Sequence, residues 1–275
     1  MPHDKHMAGA VAGGAQASAS GNVVELRGVS KAFDERVVLD NIDLDIRANE
    51  RVALIGPSGS GKTTILRLVI GLTRPDAGTI LVDGNYLWHQ AKGDRLVPAG
   101  ERHARKARRA AGMVFQQFNL FPHMTALVNV REPMVQALKM NRAEADGRAA
   151  ALLDEVGLKE HMHKHPAQLS GGQQQRVAIA RSLGLQPKVM LFDEITSALD
   201  PELVGEVLRV VRRLAQETSM SMLIVTHEIS FAADIADRVL MFDGGRVVEE
   251  GPPDRVLRDP EHPRTRQFLR AILER

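Results

Sequence analysis

The sequence predicts an α/β fold: a mostly parallel sheet carrying a phosphate-binding loop, joined by an antiparallel β subdomain and an α-helical subdomain. Three observations lead there. The stretch "RVALIGPSGSGKTTILRLVIGL", residues 51–72, reads as apolar strand, glycine-rich loop and helix. "KVMLFD" and "SMLIV" are short apolar runs separated by a helical stretch, the pattern of parallel strands buried on both faces. "VVELRGVS" and "RVVLDNIDLDI" carry β-branched residues partly in period two, and their connection is too short for a crossover, so they are expected to pair antiparallel.

Taken in order, residues 1–22, "MPHDKHMAGAVAGGAQASASGN", are rich in Ala, Gly and Ser without a leucine-rich h-region, which reads as a disordered tail and not a signal peptide. Residues 23–275 read as one domain. After the first two strands, the phosphate loop and its helix, "GTILVDG" is a strand ending in a turn. Residues 88–111 are polar and basic, and "GMVF" returns to strand. From about 125 to 183 the pattern is helical: Leu152, Leu153 and Val156 share a face of "EADGRAAALLDEVGL", which Gly157 ends. A helix over 201–217 starts at Asp200, the expected cap, with Pro201 in the first turn. "RVLMFDGGRVVEEG" reads as a closing hairpin.

Composition excludes several classes. Lys+Arg 36 against Asp+Glu 34 leaves +2, so no global nucleic-acid signature exists. The absence of cysteine rules out disulfides and thiolate metal sites. No run reaches the ~18 apolar residues of a membrane span, so any work at a membrane goes through a partner.

The loop fits G-x-x-x-x-G-K-[ST], with Gly56, Pro57, Ser58, Gly59, Ser60, Gly61, Lys62 and Thr63 in order. Its inward N–H groups and the helix dipole suit a polyphosphate, as in a P-loop NTPase core. Lys62 would reach the β- and γ-phosphates, Thr63 would offer its hydroxyl to Mg²⁺, and Thr64 a second hydroxyl near the α-phosphate. Asp193 and Glu194 close "VMLFDE" at a strand end, where open parallel sheets keep their ligand crevice. Asp193 suits holding Mg²⁺ and Glu194 polarising an attacking water. A Gly/Ser linker and a pair of turn-forming carboxylates are the plain alternatives; finding both together makes them poor ones.

"LSGGQQQRVAIARSL", residues 169–183, makes the resemblance specific: the chain is similar to ATP-binding subunits of ABC transporters, whose signature is LSGGQ. Phe33 matches the aromatic that stacks on adenine, Gln116 in "VFQQ" the Q-loop, "SALD" at 197–200 the D-loop and His227 in "VTHE" the switch histidine. The resemblance implies the ABC ATPase fold, ATP and Mg²⁺ as ligands, and ATP hydrolysis. Glu194, His227 and Gln116 become the catalytic set; Phe33, residues 56–64, Ser170, Gly171, Gly172 and Gln173 the nucleotide contacts; Thr63, Gln116 and Asp193 the metal contacts. It further implies a second ATPase subunit meeting the first head to tail, an integral membrane permease, indirectly an extracytoplasmic solute-binding protein, no nucleic acid, and a peripheral place on the cytoplasmic face of the cell membrane. Ile195 departs from the family, which usually has proline there, and bears on the rigidity of the segment leading to Ser197.

Within the family, "MVFQQFNLFPHMTALVNV" and "PRTRQFLRAILER" resemble the polar amino-acid uptake branch, and "LVPAGERHARKARR" the ectoine/hydroxyectoine importers. The expected function is powering import of a small polar solute. An exporter, a cell-division complex and a soluble assembly ATPase are the alternatives. The apolar residues Phe118, Leu120, Phe121 and Met124 after Gln116 suggest a docking groove for the permease, or else packing onto the helical subdomain. "HMHKH" and the basic run 102–109 are read as solvated surface, since neither offers a defined ligand geometry or interleaved aromatics.

Overall fold

The computed structural model describes residues 21–93 and 95–273. The expected tail lies outside the described residues through residue 20, and the first strand already starts at Asn22. β1 (Asn22–Phe33) and β2 (Arg36–Arg47) form the expected antiparallel pair. β3 (Arg51–Ile55) leads through the glycine-rich loop into α1 (Lys62–Val69). β4 (Ala77–Val82) and β5 (Asn85–Tyr86) return to the first pair, giving a sheet in the order β2-β1-β4-β5.

A hairpin that the sequence did not suggest follows: β6 (His89–Lys92) and β7 (Arg95–Pro98), then α2 (Glu101–Arg108) and β8 (Ala111–Val114). α3 (Ala126–Leu138), α4 (Arg142–Glu155) and α5 (Gly171–Gly184) form the helical part. Gly157, at φ +71, supplies the left-handed residue just past α4, a conformation that costs glycine little. The chain closes with β9 (Val189–Asp193), α6 (Pro201–Glu217), β10 (Ser221–Val225), α7 (Ile229–Ile235), β11 (Arg238–Asp243), β12 (Arg246–Gly251) and α8 (Pro263–Leu273).

The second sheet runs β12-β11-β3-β10-β9-β8, parallel throughout except for the edge strand β12. Every residue of β9 and β10 is buried, which their unbroken apolar text requires of strands covered on both faces. Leu26, Ile46, Leu54, Leu66 and Phe242 belong to one core, shared by the antiparallel sheet, α1 and the parallel sheet. Val130, Leu153, Val177, Phe192 and Val211 belong to a second, beneath the helical part. One expected contact is not made. Asp200 stands at the cap position just before α6, but its side chain accepts no bond from the helix start; the Leu203 N–H goes instead to the Asp200 backbone carbonyl at 2.9 Å.

The consequence for function lies in the strand order. β10 pairs with β3 on one side and β9 on the other, so the phosphate loop and Asp193 stand at carboxyl ends of one parallel sheet with a single strand between them.

Candidate active site

The loop geometry explains its glycines. Gly56 sits at φ +144, and a Cβ there would come within 2.0 Å of the Phe242 carbonyl; at Gly61, φ +111, it would meet Leu39 and the Val38 carbonyl below 3 Å. No other residue type lets the loop turn this tightly against β2 and β11. The Lys62 ammonium is buried and donates to the Gly56 and Pro57 carbonyls at 2.8 and 2.9 Å, with Glu194 Oε1 at 3.9 Å. Burial lowers its pKa. The buried Ser60 hydroxyl has no partner among the described residues. A cleft of about 1000 Å³ opens in front, lined by Phe33, Ser58, Gly59, Gly61, Lys62, Thr63, Thr64 and Glu194. Arg36 and Val38, which the sequence did not single out, line it too. Phe33 is 45% exposed there, with Lys31 Nζ 5.2 Å from its ring centroid.

Asp193 ends β9, and its Oδ1 accepts from Thr63 Oγ1 at 2.8 Å. Burial raises its pKa, opposed by that hydrogen bond. A hydroxyl and a carboxylate converging at the mouth of a phosphate loop are hard oxygen donors of the kind Mg²⁺ takes. Glu194 adopts φ +45, uncommon outside glycine and held only where the surroundings impose it. Its N–H donates to the Val225 carbonyl at 3.0 Å, and the N–H and hydroxyl of Ser197 return to its own carbonyl at 3.1 and 2.8 Å. His227 Nε2 donates to Glu194 Oε1 at 2.9 Å, and this bond is the main reason the carboxyl lies below its ordinary pKa. Ile195 is buried in the second core. Packing and the Ser197 bonds therefore fix the segment where the resemblance expects a proline.

Ser170, Gly171, Gly172 and Gln173 stand elsewhere. Ser170 starts α5 with a reciprocal cap: its hydroxyl accepts from the Gln173 N–H at 3.3 Å, and Gln173 Oε1 accepts from its own N–H at 3.0 Å. None of the four lines the cleft. Gln116 follows β8 and is exposed, and it does not line the cleft either. One chain thus brings the phosphate loop, Asp193, Glu194 and His227 together and leaves the α5 start outside the cleft, with Ser170 exposed.

Sequence reasoning missed the residues that hold the backbone on both sides of Gln116. Gln175 is fully buried and donates to the Phe115 carbonyl at 3.1 Å; Arg181 forks onto the Phe118 and Asn119 carbonyls at 3.2 and 2.7 Å; Ser182 donates to the Met113 carbonyl at 2.9 Å. From the far side Asn129 brackets Phe121, accepting its N–H at 2.8 Å and donating to its carbonyl at 3.1 Å. A signal existed, since Gln175 and Ser182 fall in phase with Ile179 on an otherwise apolar face. Arg181→Met removes two charge-assisted bonds of ~1.5–3 kcal/mol each, offset in part by easier burial. Denaturant unfolding is expected to show a loss of about 2–4 kcal/mol, with faster amide exchange at residues 116–121 and none in α4. Unchanged exchange in that loop would show that Arg181 does not hold it.

A family model described as ABC transporter matches residues 39–197, more than half of the chain. The chain belongs to the ABC transporter family. As a member it is an ATPase with the ABC ATPase fold. A probable amino-acid ABC transporter ATP-binding protein of Sinorhizobium fredii is 53% identical over 93% of this chain and 99% of its own length. An L-cystine import ATP-binding protein of Bacillus subtilis is 49% identical over 91% and 99%, and a glutamine transport ATP-binding protein of Escherichia coli 48% over 91% and 100%. Among solved structures, an ATP-binding cassette in a dimeric post-hydrolysis state bound to ADP and Pi superposes with a TM-score of 0.72 at 35% identity, covering 84% of this chain and 98% of the other.

Proposed function

We propose that this ABC-family chain hydrolyses ATP to drive import of a polar amino acid through an integral membrane permease, from the cytoplasmic face of the cell membrane. The observation that carries the reading is near-half identity, along essentially the whole length, to ATP-binding proteins named for cystine and glutamine transport. Among the described residues no helix is long and apolar enough to cross a membrane, so a peripheral subunit needs the permease as partner.

In this reading the loop amides, Ser60 and Lys62 hold the phosphates, and Phe33 stacks on the base. Thr63 and Asp193 hold Mg²⁺, which when bound supplies charge neutralisation at the phosphate oxygens. Glu194, oriented by His227 and by its backbone bonds, accepts a proton from the attacking water. Gln116 reports on the γ-phosphate from the opposite side, and Ser170 to Gln173 of a second copy complete the site. Uptake of labelled glutamine, cystine and arginine by cells lacking this chain, with ectoine as a further arm, tests the reading. Uptake of all four unchanged would refute it.

The docking segment is narrower than the sequence suggested. Leu120 packs against the second core and Phe118 lies against Gly171, whereas Phe121 is 44% exposed on a backbone that Asn129 clamps. An exposed aromatic on a pinned loop suits a partner helix. Phe121→Ser is expected to leave ATP binding by the isolated subunit intact and to reduce amino-acid uptake in proteoliposomes about thirtyfold or more, the equivalent of the ~2 kcal/mol of a buried interface anchor. Full uptake would place the docking surface elsewhere.

A further inference from the structure

The charge of this chain is unevenly placed. Residues 88–111 hold seven Lys and Arg against two Asp and Glu, while the remaining residues hold 29 against 32. On α2, Ala104 and Ala107 face the core, and Arg102, Arg105 and Lys106 are exposed, as is Arg109 just beyond. The hairpin adds exposed Lys92 and Arg95. None of these six has an ion-pair partner among the described residues; the seventh cation, Arg108, pairs with Glu101.

The display is rigidly mounted. The Trp88 ring lies between the Arg74 and Arg108 guanidinium groups at 4.4 and 5.2 Å. Arg74 also donates to the Ala99 carbonyl at 3.1 Å, Arg108 to the Gly71 carbonyl, and His103 Nε2 to the Tyr86 carbonyl at 2.8 Å. A buried aromatic ring and two arginines at its edge are thus committed to fixing a helix whose outward side is almost entirely cationic. Beside it, Leu72 is 60% exposed.

The chemistry of that face selects its partner. Protein interfaces have cores depleted of charge and enriched in aromatic and apolar side chains, and the outward side of α2 offers none. Binding of single-stranded nucleic acid needs stacking platforms, and Trp88 is buried. A plane of mobile anions, by contrast, needs only density of positive charge. Resting on the reading of the chain as a peripheral transporter subunit, we propose that the outward face of α2 and the β6–β7 hairpin contacts anionic lipid headgroups beside the permease. Docking already brings the subunit to the membrane, so even a weak contact acts at high effective concentration.

The test is co-sedimentation of the full chain with vesicles of equimolar phosphatidylglycerol and phosphatidylcholine, against pure phosphatidylcholine. The variant carries Arg102→Gln, Arg105→Gln, Lys106→Gln and Arg109→Gln. Each basic residue near an anionic surface contributes about fivefold, so the wild type is expected to prefer anionic vesicles, and the variant's partition to fall about 10²–10³-fold. Added salt should weaken the wild type as well. Unchanged ATPase activity of the isolated variant shows that it is folded. Equal binding to neutral vesicles, retained partition in the variant, or tighter binding to duplex DNA than to vesicles would each overturn the proposal. A wild type that binds anionic vesicles yet supports no amino-acid uptake would fail the function reading alone.

Discussion

Glu194→Gln is expected to bind ATP as the wild type does and to turn it over about 10²–10⁴-fold more slowly, the range for loss of a positioned general base. Glutamine keeps the length and shape of the side chain. Its amide oxygen can still accept from His227 Nε2, which lies 2.9 Å from Oε1, so the local structure survives. What is lost is the negative charge, held here by three features: the His227 bond, Lys62 Nζ at 3.9 Å, and a backbone forced to φ +45 at the end of β9. Turnover at saturating ATP, beside affinity for a fluorescent nucleotide, separates the two effects. Wild-type turnover would remove Glu194 from the mechanism.

The same geometry sets a pH dependence. The folded carboxyl lies below its ordinary value of 4.5, chiefly through the His227 bond. A depressed carboxylate contributes stability that is fully present above the unfolded pKa and is lost as pH falls through the folded one. Near neutral pH Glu194 is therefore ionised and does not titrate. Its acid limb in ATPase activity falls below the ordinary carboxylate range and should vanish in the glutamine variant.

Legibility followed the physics of each element. β9 and β10 could be read because strands covered on both faces show an unbroken apolar run, here 189–192 and 222–225. The phosphate loop could be read because Gly56 and Gly61 are demanded by clashes that any Cβ would make. The β6–β7 hairpin could not, since "HQAK" and "RLVP" are four-residue, solvent-facing strands without alternation. Arg181 and Asn129 were equally silent, because a polar side chain does not announce which distant carbonyl it will serve, and the phase of Gln175 marks it as buried without naming its partner. In the loop after Gln116 periodicity has no meaning, so packed Leu120 and exposed Phe121 looked alike. The left-handed Glu194 was invisible for a related reason: the strain is imposed by Val225 and Ser197, not encoded by a glycine.

Heterodimers of one Lys62→Ala chain and one Ser170→Ala chain, isolated on two different tags together with the permease, are expected to recover about half of wild-type ATPase activity, while either variant alone shows essentially none. The cleft of one chain presents Lys62, Thr63 and Glu194 but nothing from the α5 start, and Ser170 is exposed with its cap already formed. A helix N-terminus whose exposed cap is a hydroxyl is a ready site for an anion held elsewhere. A second copy can supply that anion on its own phosphate loop, and the matching cassette was solved as a dimer. A head-to-tail pair related by a two-fold axis then has two equal sites, each with one chain's Lys62 and the other's Ser170. In the mixed pair both defects fall in one site, and the other is whole. Ser170→Ala also forfeits a cap of about 1 kcal/mol, so melting of the single variants must first show them folded. Should folded heterodimers be no more active than the single variants, each site would have to be built within one chain, against the separation of Ser170 from the cleft.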